Sequence, residues 1–215
     1  MAQTSEIGCL FDVDGVIIDS ETQYSLFWDE IEKIYPTGIP NYSMKIKGST
    51  LPTILHTYYA TEEIRQDILN RLENFEDSMP LDIFPGTIDF LKELQTAGIP
   101  SSIVTSSTRA KMNRLHRLQP QLKQYFAAII DGEMVTHPKP NPECYLKGAQ
   151  KIGIPISQCI VFEDSINGIK AGKASGARVI ALSTTLPESE LIKLEPDMII
   201  PSFVGFHISS FDNAF

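Results

Sequence analysis

The chain predicts an α/β fold: a doubly wound, mostly parallel sheet carrying an inserted helical domain. Three observations lead there. Short apolar runs rich in β-branched residues recur at 7–11, 102–104, 127–130, 159–162, 178–182 and 198–200, and such runs read as strands buried on both faces. Helical patterns alternate with them. Residues 20–82 break that alternation.

The first run, 7–11, ends in a cluster of acids and a glycine. After the break, Ile88, Leu91 and Leu94 recur at helical spacing and stop at Gly98, ahead of the second strand. Tyr145, Leu146, Ala149 and Ile152 stop at Gly153, and Ile166 and Ile169 stop near Gly176. Glycine just past the last apolar turn is the expected left-handed cap. Strands and helices of these lengths in alternation make βαβ units. In the insert, Tyr24, Phe27, Trp28, Ile31, Ile34 and Tyr35 fall at helical spacing, as do Ile64, Ile68, Leu72 and Phe75. Thr61 followed by Glu62 and Glu63 reads as a capped helix start, its carboxylates favoured by the dipole. The domains expected are a core of residues 1–18 and 83–215 and a helical domain of 19–82. The tail after Pro201 is rich in Ser and Phe, with no clear period.

At 215 residues the chain exceeds the usual ~150 per domain, in keeping with a core plus an insert. Hydrophobic residues make up 42% and charged residues 21%, which excludes a disordered chain or a disulfide-dense miniprotein. Eighteen basic against 27 acidic residues leave a charge of −9, so nucleic acid and anionic membrane are not expected partners. No apolar stretch reaches the ~18 to 20 residues of a membrane span, and residues 1–5 lack the basic and apolar segments of a secretion signal. Cys9, Cys144 and Cys159 show no C-x-x-C spacing. Buried free thiols, a cytoplasmic location and a monomer are the expectations.

The sharpest motif is Phe11-Asp12-Val13-Asp14-Gly15-Val16. Asp12 and Asp14 project to one side of an extended chain at a strand's carboxyl end, where open α/β sheets bind ligands. A bare D-x-D-G is equally an acidic turn. It is not a calcium loop, because Gly is fourth rather than sixth and Val16, Ile17 and Ile18 follow. Three further pieces stand at later strand ends. Thr105, Ser106 and Ser107 offer hydroxyls and N–H groups to an anion, or are helix caps. Lys139 lies among Pro138, Pro140 and Pro142, and Glu163–Asp164 makes a second carboxylate pair. Each alone has a bland reading as a solvated lysine or an acidic helix start. Together they bring four carboxylates, hydroxyls and a lysine to one edge of the sheet. Carboxylates so grouped repel, and a divalent cation resolves the repulsion. An all-oxygen set suits Mg2+.

The chain resembles the haloacid dehalogenase superfamily of phosphatases and phosphomutases, with the family's four motifs in order: DVDGV followed by DSE, IVTSS, HPKPNPE–Y and VFEDSINGIKAG. It looks closest to the branch with a helical cap between the first two motifs on a Rossmann-like core. The resemblance implies that Asp12 is the nucleophile taking the phosphoryl group. Asp14 then protonates the leaving alcohol and later deprotonates the hydrolytic water. Thr105 and Ser106 bind phosphoryl oxygens, and Lys139 pairs with Asp12 and the phosphate. Asp12, the Asp14 carbonyl and Asp164 ligate Mg2+, with Glu163 in support. The substrate implied is a small phosphorylated metabolite, a sugar or polyol phosphate.

Within that branch the β-phosphoglucomutases carry a histidine on the first cap helix and an arginine in a cap loop, four residues after a lysine. The matching positions are Tyr24 and Leu51, while Lys47 matches the lysine. Two mutase features are therefore missing, and hydrolysis is favoured over isomerisation. Glu21, Tyr24 and Lys47 are the candidates for substrate contact in the cap. A third alternative is a non-catalytic phosphosugar-binding protein, against which the complete acid set argues. His56, His116, His137 and His207 show no zinc spacing.

Overall fold

The computed structural model describes residues 7–47, 49 and 51–213. Residues 1–5, where a leader was sought, and Gly48 lie outside these. The chain divides into two compact units, residues 1–19 with 81–215, and residues 20–80.

The first unit is built on six parallel strands: β1 (Gly8–Phe11), β2 (Ser101–Val104), β3 (Ala128–Ile130), β4 (Cys159–Glu163), β5 (Arg178–Leu182) and β6 (Met198–Ile200). Their order across the sheet is β3-β2-β1-β4-β5-β6. The order reverses between β1 and β4, which is the topological switch point of a doubly wound sheet. The observed strand ends lie within a residue of the predicted runs.

Helices enter in chain order. In the second unit they are α1 (Ser20–Ile34), α2 (Tyr42–Lys45), α3 (Leu51–Tyr58) and α4 (Glu62–Ser78). In the first unit they are α5 (Thr87–Thr96), α6 (Arg109–Leu118), α7 (Glu143–Ile152), α8 (Ile166–Ser175) and α9 (Glu188–Leu191). Gly98, Gly153 and Gly176 take the expected left-handed φ after α5, α7 and α8. The Thr61 hydroxyl caps α4, accepting from Ile64 N at 3.3 Å.

Period two along the strands divides the core by face. Leu10 pairs with Val161, and Val161 with Val179; these pack with Tyr145 and Ala149 of α7 and Ile169 of α8. Phe11 pairs with Phe162, and their rings stack at 4.6 Å. Phe90 of α5 and Phe203, Phe206 and Phe211 of the tail complete this aromatic cluster, with Phe90 stacked on Phe203 at 5.1 Å. The tail, in which no period was seen, is thus part of the core. It contributes Phe203 and Phe206 from irregular chain and Phe211 from a short 3-10 helix (Ile208–Asn213), which periodicity does not detect. Phe203 is 1% exposed; Phe203→Ala should cost about 3–5 kcal/mol, read as a fall in the thermal midpoint of roughly 6–20 °C. A fall under about 2 °C would contradict a packing role for the tail.

In the second unit, Phe27, Trp28 and Ile31 of α1 pack with Tyr42, Ile54, Leu55, Ile68 and Leu72. Ile34, Leu146 and Ile166, all expected at buried helical positions, are exposed at 45%, 43% and 36%, each at the margin of its helix's apolar stripe. Within the first unit the chain leaves and returns side by side: Asp19 N donates to Asp82 O at 2.9 Å and Phe84 N to Ile17 O at 3.0 Å. An insertion at this point leaves the sheet intact. The three cysteines are buried and free, as expected. Among the described residues no helix is long and apolar enough to cross a membrane.

Candidate active site

The Asp12–Ile18 turn is held by its own backbone and by buried apolar side chains. Asp12 N donates to Phe162 O at 3.1 Å, extending the β1–β4 ladder by one residue. Ile17 N and Ile18 N then close on Val13 O, and Gly15 N on Ile18 O. Val13, Val16, Ile17 and Ile18 are fully buried, so the apolar run that excluded a calcium loop anchors the turn. Gly15 sits at φ 74°, and a Cβ there would fall 1.8 Å from Asp164 Oδ2. Only glycine lets the first strand end lie this close to the fourth.

Asp12, Glu163 and Asp164 each offer a carboxylate oxygen, all within 4.8 Å of one another. Lys139 is set among them. Its Nζ lies 3.1 Å from Asp12 Oδ1 and 2.7 Å from Glu163 Oε1, and it donates to Val104 O at 3.2 Å. The Tyr145 ring is 4.9 Å away, and the Tyr145 hydroxyl donates to Glu163 Oε1 at 2.8 Å. Burial alone would push the Lys139 ammonium down, but the Asp12 and Glu163 charges outweigh it and push it up. Glu163 is likewise raised by burial yet held below the carboxylate range by Lys139 and its hydrogen bonds. Burial raises Asp12 to about 7, with Lys139 opposing and Glu163 and Asp14 adding to the rise.

The two oxygens of Glu163 accept five hydrogen bonds, from Lys139, Tyr145, Asp164 N, Ser165 N and Ser165 Oγ. A Cβ on Gly168 would fall 1.6 Å from this carboxylate, which accounts for the glycine on α8. Glu163 therefore acts through what it holds, Lys139 and the Asp164 backbone. Asp12 Oδ1, by contrast, is buried and accepts no hydrogen bond of good geometry, and Asp164 Oδ2 takes the Thr185 hydroxyl. Oxygens of this kind on Asp12 and Asp164 fit a hard divalent cation.

The end of β2 is tied to Asp14. Thr105 is buried; its N donates to Ile130 O at 2.9 Å, and its hydroxyl accepts from Ser107 N at 3.0 Å. Ser107 Oγ donates to Asp14 Oδ2 at 2.6 Å, and Lys111 Nζ donates to Asp14 Oδ1 at 2.6 Å. Ser106 is exposed on the same loop. The His137–Lys139 loop is held by Glu143 on α7, which accepts from Thr136 N and His137 N at 2.9 Å each. Sequence reasoning missed Lys111 and Thr185. Tyr145 stood there as an apolar helix position and as the last residue of the HPKPNPE–Y motif, with no role given. Lys111 and Thr185 carry no local signal, because their partners lie 97 and 21 residues away.

The second unit holds Glu21, Tyr24 and Lys47 around one cavity of about 260 Å3, with Ser43, Ser49 and Glu76. Tyr24 donates its hydroxyl to Glu76 at 2.8 Å. Leu51, at the mutase arginine position, also lines it.

Comparison with known proteins identifies the family. A family model described as haloacid dehalogenase-like hydrolase matches residues 8–176. Hexitol phosphatase A of Escherichia coli K12 is 31% identical over 204 residues, covering 91% of this chain and 90% of that protein. Glycerol-1-phosphate phosphohydrolase 2 of Saccharomyces cerevisiae is 28% identical, covering 94% and 85%. Among solved structures, a family IA, variant 3 haloacid dehalogenase hydrolase from Entamoeba histolytica superposes with a TM-score of 0.79 at 26% identity, covering 97% and 98%. With a family model over residues 8–176 and a relative 31% identical across nine-tenths of both chains, the chain belongs to the haloacid dehalogenase-like hydrolases, with phosphatase activity.

Proposed function

We propose that this protein is a Mg2+-dependent phosphatase of a small polyol or sugar phosphate, working through an aspartyl phosphate on Asp12, with residues 19–82 as a cap. The observation that carries the reading is the buried Asp12 bridged by Lys139 to a saturated Glu163. A carboxylate attacking a phosphate dianion meets charge repulsion, and Lys139 supplies neutralising charge fixed in position before the substrate arrives.

An Asp12 oxygen attacks phosphorus and the P–O bond to the alcohol breaks. The departing oxygen takes its proton from Asp14. Water then attacks the phosphorus, Asp14 accepts its proton, and the acyl phosphate opens to regenerate Asp12. Thr105 and Ser106 receive the phosphoryl oxygens. Asp12, the Asp14 carbonyl and Asp164 would hold Mg2+, which when bound neutralises charge on the transferring group.

Two observations support the substrate class. Relatives over nearly the full chain carry hexitol phosphatase and glycerol-phosphate phosphohydrolase names. The second unit's cavity sets carboxylates of Glu21 and Glu76 beside serine hydroxyls, acceptors suited to a polyhydroxylated carbon chain. Leu51 and Tyr24 in place of the mutase arginine and histidine support hydrolysis. The buried free thiols support a reducing compartment such as the cytoplasm.

A phosphate-release screen over hexitol, glycerol and sugar phosphates, phosphoglycolate and nucleotides tests this. Polyol or sugar phosphates should lead the screen, and chelation of divalent metal should lower release by more than about 10²-fold. Recovery of a rearranged sugar phosphate in place of free phosphate would establish the mutase alternative. Equal activity in chelator would overturn the metal assignment.

A further inference from the structure

We propose that Lys111 is a positioning residue for proton transfer, fixing the plane of the Asp14 carboxylate together with Ser107. The inference rests on the reading of Asp14 as the acid and base given above. Asp14 stands just before the Gly15–Ile17 turn, in an isolated bridge to Ile18 rather than in a strand, and a lone carboxylate there would rotate about both side-chain torsions. Instead each oxygen has its own donor: Lys111 Nζ on Oδ1 and Ser107 Oγ on Oδ2, both at 2.6 Å. Charge-assisted bonds this short are the strong ones. The Lys111 and Asp14 side chains are 16% and 27% exposed, so water screens the pair only in part.

The position of Lys111 in its helix supports the same reading. Arg109 and Lys111 both stand in the first turn of α6, which carries no acidic residue there. Cations are disfavoured at a helix N-terminus, so helix stability does not account for them. Arg109 is held by Asp131 at 3.1 Å and points to the end of β3. Lys111 reaches back to the end of β1. Ser107 also donates its N–H to Thr105 Oγ1, so the clamp on Asp14 and the phosphate-binding threonine belong to one loop. An ammonium only donates, whereas a hydroxyl gives or accepts. Lys111 therefore holds Oδ1 as a donor only, and together with Ser107 on Oδ2 it sets the plane of the carboxylate.

The experiment compares alkyl and aryl phosphates. An alkoxide needs a proton to leave and a nitrophenolate does not, so a residue acting through Asp14 slows phosphoryl transfer from the former only. Hydrolysis of the aspartyl phosphate, where Asp14 is the base, is common to both, and the alkyl and aryl substrates are therefore compared on the first turnover, by rapid quench. With the polyol phosphate that leads the screen, Lys111→Met should lower kcat about 10- to 100-fold and change KM by less than about threefold. With p-nitrophenyl phosphate the rate of first-turnover nitrophenolate release should fall by less than about threefold. Lys111→Arg should restore most of the alkyl activity. Ser107→Ala, which removes the other clamp, should repeat the alkyl-selective loss. In an Asp14→Asn background, Lys111→Met should add nothing, because both changes act through one carboxylate. Equal losses on both substrates, or a full additional loss in the Asp14→Asn background, would overturn the inference. If Asp14→Asn itself fails to discriminate alkyl from aryl phosphate, the acid–base reading falls and Lys111 with it. If Asp14→Asn discriminates and Lys111→Met does not, the positioning role alone is refuted.

Discussion

Asp12→Asn should abolish turnover while raising the thermal midpoint of the chelator-treated protein at pH 8. The first effect follows from loss of the attacking oxygen's charge. The second follows from linkage. Burial raises the Asp12 carboxyl to about 7, against Lys139 and with Glu163 and Asp14 adding to the rise, while in the unfolded chain it titrates near ~3.9. The folded state thus binds this proton more tightly. The stability it contributes is fully present below about pH 4 and is lost as pH rises through about 7. Asparagine does not ionise, so the variant escapes that loss at pH 8, and Lys139 keeps its bond to Glu163. The midpoint difference should be on the order of several degrees at pH 8 and should close as pH falls toward 5. Thermal unfolding of both proteins across that range, with phosphate release measured alongside, decides the matter. Activity within about tenfold of the parent would sink the nucleophile assignment. A variant less stable than its parent at pH 8 would sink the burial argument.

Lys139→Met should have the largest effect on the fold. Lys139 Nζ is 6% exposed as a side chain and lies between Asp12 and Glu163. Removing it leaves two buried carboxylates facing each other without a counter-charge. Breaking one side of a buried ionic pair costs about 3–5 kcal/mol, a fall of roughly 6–20 °C in a domain of this size. Turnover should drop by ~10²–10³ or more, the range found when one preorganised electrostatic donor is lost. Lys139→Arg is not expected to rescue it, because a planar fork does not replace a point charge held on Val104 O. A midpoint within about 2 °C of the parent would show that the cluster is solvated and would remove the basis for the raised Asp12.

Much of the core's design was legible in the residues themselves. Strands buried on both faces announce themselves as continuous β-branched runs, and their alternation with glycine-capped helices leaves few topologies. The insert was legible for the opposite reason, a stretch with helical periodicity and no buried run. What escaped shows where local signals end. Phe203 and Phe206 lie on irregular chain and Phe211 on a single short 3-10 helix, so no period marks them as core. Glu163 reads as one more acid beside Asp164, and only the hydrogen bonds it accepts show that its oxygens are already taken. Leu146 has the apolar character of a core position and is nevertheless 43% exposed.

The sequence by itself determined that Asp12, Asp14, Thr105 and Asp164 would arrive at strand ends, since each follows closely on a run whose burial its composition dictates, while Lys139 stands in a loop beyond β3. Tertiary structure decided which of them touch. Asp12 lies with Lys139, Glu163 and Asp164, while the Asp14 carboxylate is taken by Ser107 and Lys111, 93 and 97 residues further along the chain. Periodicity reports only the face on which a residue lies relative to its neighbours in its own element. Which side chains meet across that face depends on strand order and on the close approach of Gly15 to Asp164, quantities that exist only once the sheet has closed around its switch point.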